Sequence, residues 1–356
     1  MAKPLDFTKL HKDYSKKRGI KSGFNDPITW IDTGNKALNK MVSGRFDAGI
    51  PLGAVTIVAG ESGSGKSVLV SGNIVRNALA QGINVVVVDT EDALKTKWVS
   101  DLGVDPDHPN LVKFVLNTIN EIAQMIGDFT DGYREEYKNV PREDQPKMLF
   151  VIDSLGFLES ETEIEQFQKG ALKGDKGIKA KMLKMLVGNC IRLFAGYEIG
   201  LIATNHVYKS QDQYKPDDII SGGGGVIFAA SIIVSMNKKK LKESTEAGAP
   251  VLGIIAKTKC VKTRYSKPFE EVDVNIPYET GMDPYSGLFD MFEAKGLLTK
   301  VGNRYRYVDR DGVEHVHFRK NMGPEFFEMI IREYDDSSTP TGVGVVVDIE
   351  NKELEE

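Results

Sequence analysis

The sequence predicts an α/β fold, with a central, mainly parallel sheet, helices on both faces and an antiparallel extension. Three observations predict it. Short apolar runs ("VTIVAG", "NVVVVD", "MLFVID", "LIATNH") read as strands buried on both faces. Segments of helical spacing separate them, and that alternation is the pattern of a parallel sheet. After about residue 225 the spacing changes to strands with short connections, which add antiparallel partners.

The elements follow in order. Residues 1–45 are polar with scattered apolar positions, so a segment that docks on another surface is expected there. "GIPLGAVTIVAG" opens the core with a strand over Val55–Ala59. "SVLVSGNIVRNALAQG" has helical spacing and ends at Gly82. "NVVVVDTED" and "VKFVL" are the second and third strands, and "EIAQMIGDFTDGYREEY" is an amphipathic helix. "KMLFVIDSLG" is the fourth strand, "IKAKMLKMLVGNCIRLFAG" a helix and "IGLIATNH" the fifth strand. "VIFAASIIVSMNKKK", "VLGIIAKTKCVK" and "EEVDVNIPY" read as the added strands. From about Gly323 the chain is acidic and turn-rich, and disorder is expected near the end.

Composition narrows the class. The 356 residues are 41% hydrophobic and 27% charged, which is ordinary for a globular protein. No apolar run has the length of a membrane span, and no apolar stretch follows the start, so a cytoplasmic protein without a membrane partner is expected. Cys190 and Cys260 form no CxxC pair, which fits a reducing compartment and excludes a cysteine-held metal. The net charge of -5 is unevenly spread. The stretch from Glu325 onward is strongly acidic, whereas Glu165–Lys215 is basic. That asymmetry suits a nucleic-acid partner, although a solvated surface is the commoner meaning of a charge run.

"GESGSGKS", Gly60–Ser67, matches the phosphate-loop pattern at every fixed position, between a buried strand and a helix. Its residues Gly60, Glu61, Ser62, Gly63, Ser64, Gly65, Lys66, Ser67 and the following Val68 are the expected phosphate cradle. Lys66 would reach the β/γ-phosphates and Ser67 would bind Mg2+. Asp153, at the end of an apolar strand, is the second expected Mg2+ ligand; a capping role is its alternative. Glu91 ends the second strand on the ligand side of the sheet. It suits a base for the attacking water, or equally an acid in the first turn of the next helix. Asn205 and His206 close the fifth strand, where His206 can sense a γ-phosphate or serve as a structural histidine.

These stretches, with "LGVD", "SGGGG", "AKTKCVKTRYSKPF" and "GMDPYSGLFDM", resemble the RecA-family strand-exchange recombinases over about residues 45–300, and their phage branch in particular. The resemblance implies that the nucleotide is ATP, that Glu91 activates water and that Trp98 stacks on adenine. It implies that His206, where bacterial members carry Gln, couples the γ-phosphate to DNA. Lys257 and Lys259, two apart on a strand and hence on one face, would reach the ATP of a neighbouring subunit. The catalytic set is then Glu91, Lys66, His206, Lys257 and Lys259.

Two long segments, about residues 159–177 and 207–225, would be flexible loops facing DNA. Lys169, Lys173, Lys179, Lys181, Lys209 and Lys215 can neutralise phosphates. Tyr208 and Tyr214 can stack on bases, and Gly222 and Gly223 let the backbone approach closely. The implied division is 1–45 for oligomerisation, 46–300 for the ATPase core and 301–356 for a C-terminal region with an acidic tail. The implied partners are single-stranded DNA, homologous duplex DNA, further copies of the chain in a helical filament, a single-strand binding protein and a loader. A ring-forming ATPase of the helicase or clock type and an ATP-binding mediator are the competing readings.

Overall fold

A computed structural model describes residues 5–18, 24–171, 177–209, 218–222, 224–244, 246 and 248–337. Helix α1 (Phe7–Arg18) precedes β1 (Trp30–Ile31), α2 (Lys36–Ser43) and β2 (Ile50–Pro51). The core then runs β3 (Val55–Gly60), α3 (Val75–Ala80), β4 (Asn84–Asp89), α4 (Thr96–Asp101), β5 (Leu111–Phe114) and α5 (Ile119–Tyr137). It continues with β6 (Met148–Asp153), α6 (Glu161–Gln168), α7 (Ile178–Phe194), β7 (Ile199–Lys209), β8 (Asp218–Ile220) and α8 (Gly224–Ala229). The long strands β9 (Ile232–Lys242), β10 (Val251–Lys262) and β11 (Glu271–Pro277) complete the sheet.

The sheet order is β11-β10-β9-β3-β7-β6-β4-β5, with β8 paired to β7. All pairs from β9 to β5 are parallel, and β10 and β11 are antiparallel; of the three added strands β9 extends the parallel part, and β10 and β11 supply the expected antiparallel partners. One face holds Val55, Ile57, Val88, Phe150, Ile152 and Leu201 against Ile122 and Ile126 of α5 and Leu186, Val187 and Cys190 of α7. The helix after the phosphate loop, π-wound over Val68–Ile74, contacts β6 and β7. Cys190 and Cys260 are buried and unpaired, and burial pushes both thiols up to about 12.

The register aligns the ends of the parallel strands. Gly60 pairs with His206 and Asp89 with Asp153. One edge of the sheet therefore collects the phosphate loop, both aspartates, Glu91 and His206.

Three expectations are corrected. Residues 226–229, read as the start of a strand, belong with the last two loop glycines to α8, which packs on α7. Val226 and Ala230, a helical turn apart, are both fully buried, so the local period is helical. The segment after Glu159 contains α6, started by a capping box in which the Ser160 hydroxyl accepts from the Glu163 N–H and the Glu163 carboxylate accepts from the Ser160 N–H. The acidic stretch from Gly323 is helical over α10 (Pro324–Ser337). Phe327, Ile330 and Ile331 are buried on one side of it, and this apolar stripe outweighs the charge.

Chain contacts divide the protein into two compact units, Met1–Ser286 and Gly287–Glu356. The second holds α9 (Leu288–Ala294), α10 and a three-stranded antiparallel sheet of β12 (Thr299–Val301), β13 (Arg304–Val308) and β14 (Glu314–His317). The Phe292 and Phe327 rings meet within it at 6.3 Å. Among the described residues no helix is long and apolar enough to cross a membrane.

Candidate functional site

Glycine makes the phosphate loop possible. A Cβ on Gly60 would stand 2.2 Å from the Met236 carbonyl oxygen of β9 and 2.8 Å from Ser64 Oγ. Gly65 has φ +92°, and a Cβ there would meet Ile276 at 2.7 Å. Lys66 is 7% exposed and folds back on the loop, donating to the carbonyls of Gly60 (2.9 Å) and Glu61 (2.8 Å). Burial pushes the Lys66 pKa down, and the carboxylates of Asp153, Glu91 and Glu61 oppose that shift. Among the described residues Ser64 Oγ is buried without a hydrogen-bond partner, and Ser67 opens the helix without using its side chain as a cap. A close-approaching backbone, a buried ammonium and an unpartnered hydroxyl fit a phosphate group.

Asp153 lies beside this loop at the end of β6, 7% exposed. Ser71 donates to its Oδ2 at 2.7 Å, and Thr204 of β7 donates to its Oδ1. The two hydroxyls leave lone pairs on both carboxylate oxygens, so Asp153 retains the capacity to bind a cation. Asp89, at the end of β4, shapes the loop that carries Glu91. It accepts from the backbone N–H groups of Leu94 (2.9 Å), Ala93 (3.1 Å) and Glu91 (3.3 Å), and pairs with Lys113 at 2.8 Å. Burial alone would raise the Asp89 carboxyl; Lys113 and the backbone donors outweigh it and hold the pKa low.

Glu91 and His206 meet through Ser154. The Ser154 hydroxyl donates to Glu91 Oε1 at 2.9 Å and stands 3.3 Å from His206 Nε2, with His206 Nε2 and Glu91 Oε1 3.6 Å apart. A hydroxyl has one proton. Once it is given to Glu91, the histidine can join only by donating from Nε2. The three strand ends thus form a hydrogen-bonded chain from His206 through Ser154 to Glu91. Phe157 packs edge-on against the imidazole at 5.3 Å.

Beyond Val68 lies a cavity of about 470 Å³, lined by Trp98, Arg76, Tyr278, Glu279 and Met282 among others. Trp98 is half-buried on α4, while Tyr278, just past the end of β11, is 69% exposed. The two aromatics share a cavity that has room for a planar base.

Lys257 and Lys259 lie on one exposed face of β10, alternating with buried Ala256, Thr258 and Cys260. They pair in register with Asp273 and Glu271 of β11, and the Lys259 ammonium stands 3.3 Å from the Glu271 carboxylate.

The expected DNA residues are dispersed. Lys169 caps α6 and pairs with Glu165 at 3.4 Å. Lys179 is half-buried; its ammonium donates to the Gly156 carbonyl (3.0 Å), with Glu163 at 4.0 Å. Lys181 is exposed on the first turn of α7, and Tyr208 is 59% exposed on β7. Gly222 has φ +86°. Lys209 ends β7. Lys173, Tyr214, Lys215 and Gly223 lie outside the described residues.

Sequence reasoning missed Ser71, Asp89, Ser154, Thr204 and Tyr278. For Asp89 and Ser154 a signal existed, since each adjoins the end of a strand that lines the site. Ser71 and Thr204 carried none, because their role depends on which strands are neighbours.

Fold and phosphate loop together define a RecA-like α/β core. Comparison of sequences agrees. The chain is 28% identical to protein RecA of Streptomyces coelicolor over 287 residues, covering 80% of this chain and 70% of that protein. It is 26% identical to the recombination and repair protein of Enterobacteria phage T4 over 290 residues, 80% of this chain and 69% of that one. It is 24% identical to the mitochondrial DNA repair protein recA homolog of Dictyostelium discoideum, where 73% of this chain spans about half (53%) of the relative. No family model matches the chain. The chain is thus similar to proteins named RecA and to the phage T4 recombination and repair protein over most of its length.

Proposed function

We propose that the protein is an ATP-dependent DNA recombinase that assembles as a helical filament on single-stranded DNA and promotes pairing and exchange with homologous duplex. The observation that carries this reading is the convergence of Glu91, Ser154 and His206 beside the phosphate loop, with a separate lysine pair on an exposed face of the same sheet. A hydrolytic site needs the first arrangement; a site completed by a neighbouring subunit needs the second.

In this reading Gly60–Val68 hold the phosphates, Lys66 leaves its loop carbonyls for them, and Trp98 and Tyr278 bind the base. Glu91 orients and deprotonates water. Mg2+, held by Ser67 and Asp153, would supply neutralisation of charge on the phosphate oxygens. His206 changes its bond to Ser154 when the phosphate end changes, and through β7 it alters the loop that follows. Lys257 and Lys259 reach the nucleotide of the next subunit, which makes ATP part of the joint. The 1–45 segment serves oligomerisation, and α1 supports this by exposing Phe7, Leu10 and Tyr14. The core to about residue 300 hydrolyses ATP, and the 301–356 region follows it. The segments 159–177 and 207–225 bind DNA. Work in the cytoplasm, with a single-strand binding protein and a loader, completes the proposal.

ATP hydrolysis measured with and without single-stranded DNA, with electron microscopy of the mixture, tests it. Expected are DNA-stimulated turnover and helical filaments. Rings, or turnover indifferent to DNA, would overturn the reading. Lys257→Ala and Lys259→Ala are expected to lose the stimulation while the isolated subunit still binds nucleotide.

A further inference from the structure

Strand β9 outlasts its parallel neighbour. β3 ends at Gly60, in register with Met236, while β9 continues to Lys242. Past Met236 its backbone has lost β3 as a partner. The Lys238 N–H finds a substitute in the phosphate loop itself, donating to Glu61 Oε1 at 3.0 Å. The Lys238 side chain lies on the same face as Met236 and donates its ammonium to the Ser62 carbonyl. A Cβ on Gly63 would stand 3.1 Å from that ammonium. One residue therefore bonds two consecutive positions, Glu61 and Ser62, and fills the space beside the third, Gly63, on the loop's outer limb.

The position along the loop matters. Lys66 occupies the carbonyls of Gly60 and Glu61, and in a phosphate loop this lysine serves the β/γ end of the nucleotide. Lys238 holds the adjoining carbonyl, so two ammonium groups of one chain flank the same limb. Lys257 pairs with Asn237, one residue earlier, and its side chain therefore stands on the opposite face of the sheet. Lys238 is thus separate from the pair proposed to serve a neighbouring subunit.

We infer that Lys238 is a positioning residue for the terminal phosphate: it braces the outer limb of the phosphate loop from β9 and adds a second cation of the same chain beside it. The inference rests on the nucleotide reading proposed above.

The test uses the full chain with Mg2+ and two probes, ADP and a slowly hydrolysed ATP analogue, together with steady-state ATP hydrolysis. Lys238→Met is expected to bind ADP within about twofold of the parent. It should bind the triphosphate analogue about tenfold more weakly, the scale of one charge-assisted hydrogen bond, and raise KM for ATP more than it lowers kcat. Lys238→Arg, which keeps a cationic donor, is expected to restore most of the loss. Equal weakening toward both nucleotides, or parent-like binding of both, overturns the inference and leaves the nucleotide reading standing. A parent protein that binds neither nucleotide overturns both. If Lys238→Met does not fold, Lys238→Gln carries the same comparison.

Discussion

Thr204→Val isolates what holds Asp153 in place. Thr204 is fully buried, and its hydroxyl donates to Asp153 Oδ1; Val has nearly the same shape and cannot donate. No cavity forms, so the cost is that of a charge-assisted hydrogen bond removed from a nearly buried carboxylate, about 2 kcal/mol. Thr204→Ser keeps the donor and removes only a methyl group, at a cost of about 1 kcal/mol. Urea denaturation is the assay, and the expected order of midpoints is parent, then Ser, then Val, at an unchanged slope. In the proposed reaction Thr204→Val also raises the Mg2+ concentration needed for half-maximal hydrolysis, because Asp153 keeps only the Ser71 donor. If Thr204→Ser is as damaging as Thr204→Val, the methyl group matters and the hydroxyl does not, and the account of Asp153 fails.

Gly60→Ala forces β9 away from β3, because the new Cβ meets the Met236 carbonyl at 2.2 Å; a loss of about 3 kcal/mol or more, with loss of nucleotide binding, is expected in denaturation and titration. Asp89→Asn removes a buried carboxylate whose pKa lies below its ordinary value of 3.8. The sign follows: its contribution is complete above that value and is lost as pH falls through the lower folded value, so the parent's advantage at neutral pH shrinks toward acid in pH-resolved unfolding. Ser154→Ala cuts the chain between Glu91 and His206. DNA stimulation of hydrolysis should fall by about tenfold while nucleotide affinity stays constant, and undiminished stimulation would remove Ser154 from the coupling.

Periodicity and local chemistry determined a great deal. Apolar runs long enough for strands but too short for helices dictated the parallel sheet. The spacing of Gly60, Gly65, Lys66 and Ser67 pointed to a phosphate loop, because that pattern lets the backbone close around an anion with a lysine at hand. Alternation along β10 is enough by itself to put Lys257 and Lys259 on one face. Local reading was weakest where two patterns overlap. The helix Gly224–Ala229 was hidden in a run of strand-forming residues, and α10 was hidden in acidic sequence.

The tertiary structure alone decided which strand ends are neighbours. Ser71, Asp153 and Thr204 are far apart in the chain; the pairing of β7 with β6 brings Thr204 to the Asp153 carboxylate, and the packing of the helix after the phosphate loop against β6 and β7 brings Ser71. Likewise Lys238 reaches the phosphate loop because β9 lies beside β3 and runs past its end. A sequence specifies such contacts only through long-range packing. A hydroxyl has no periodicity of its own, and its role appears when the backbone around it is complete.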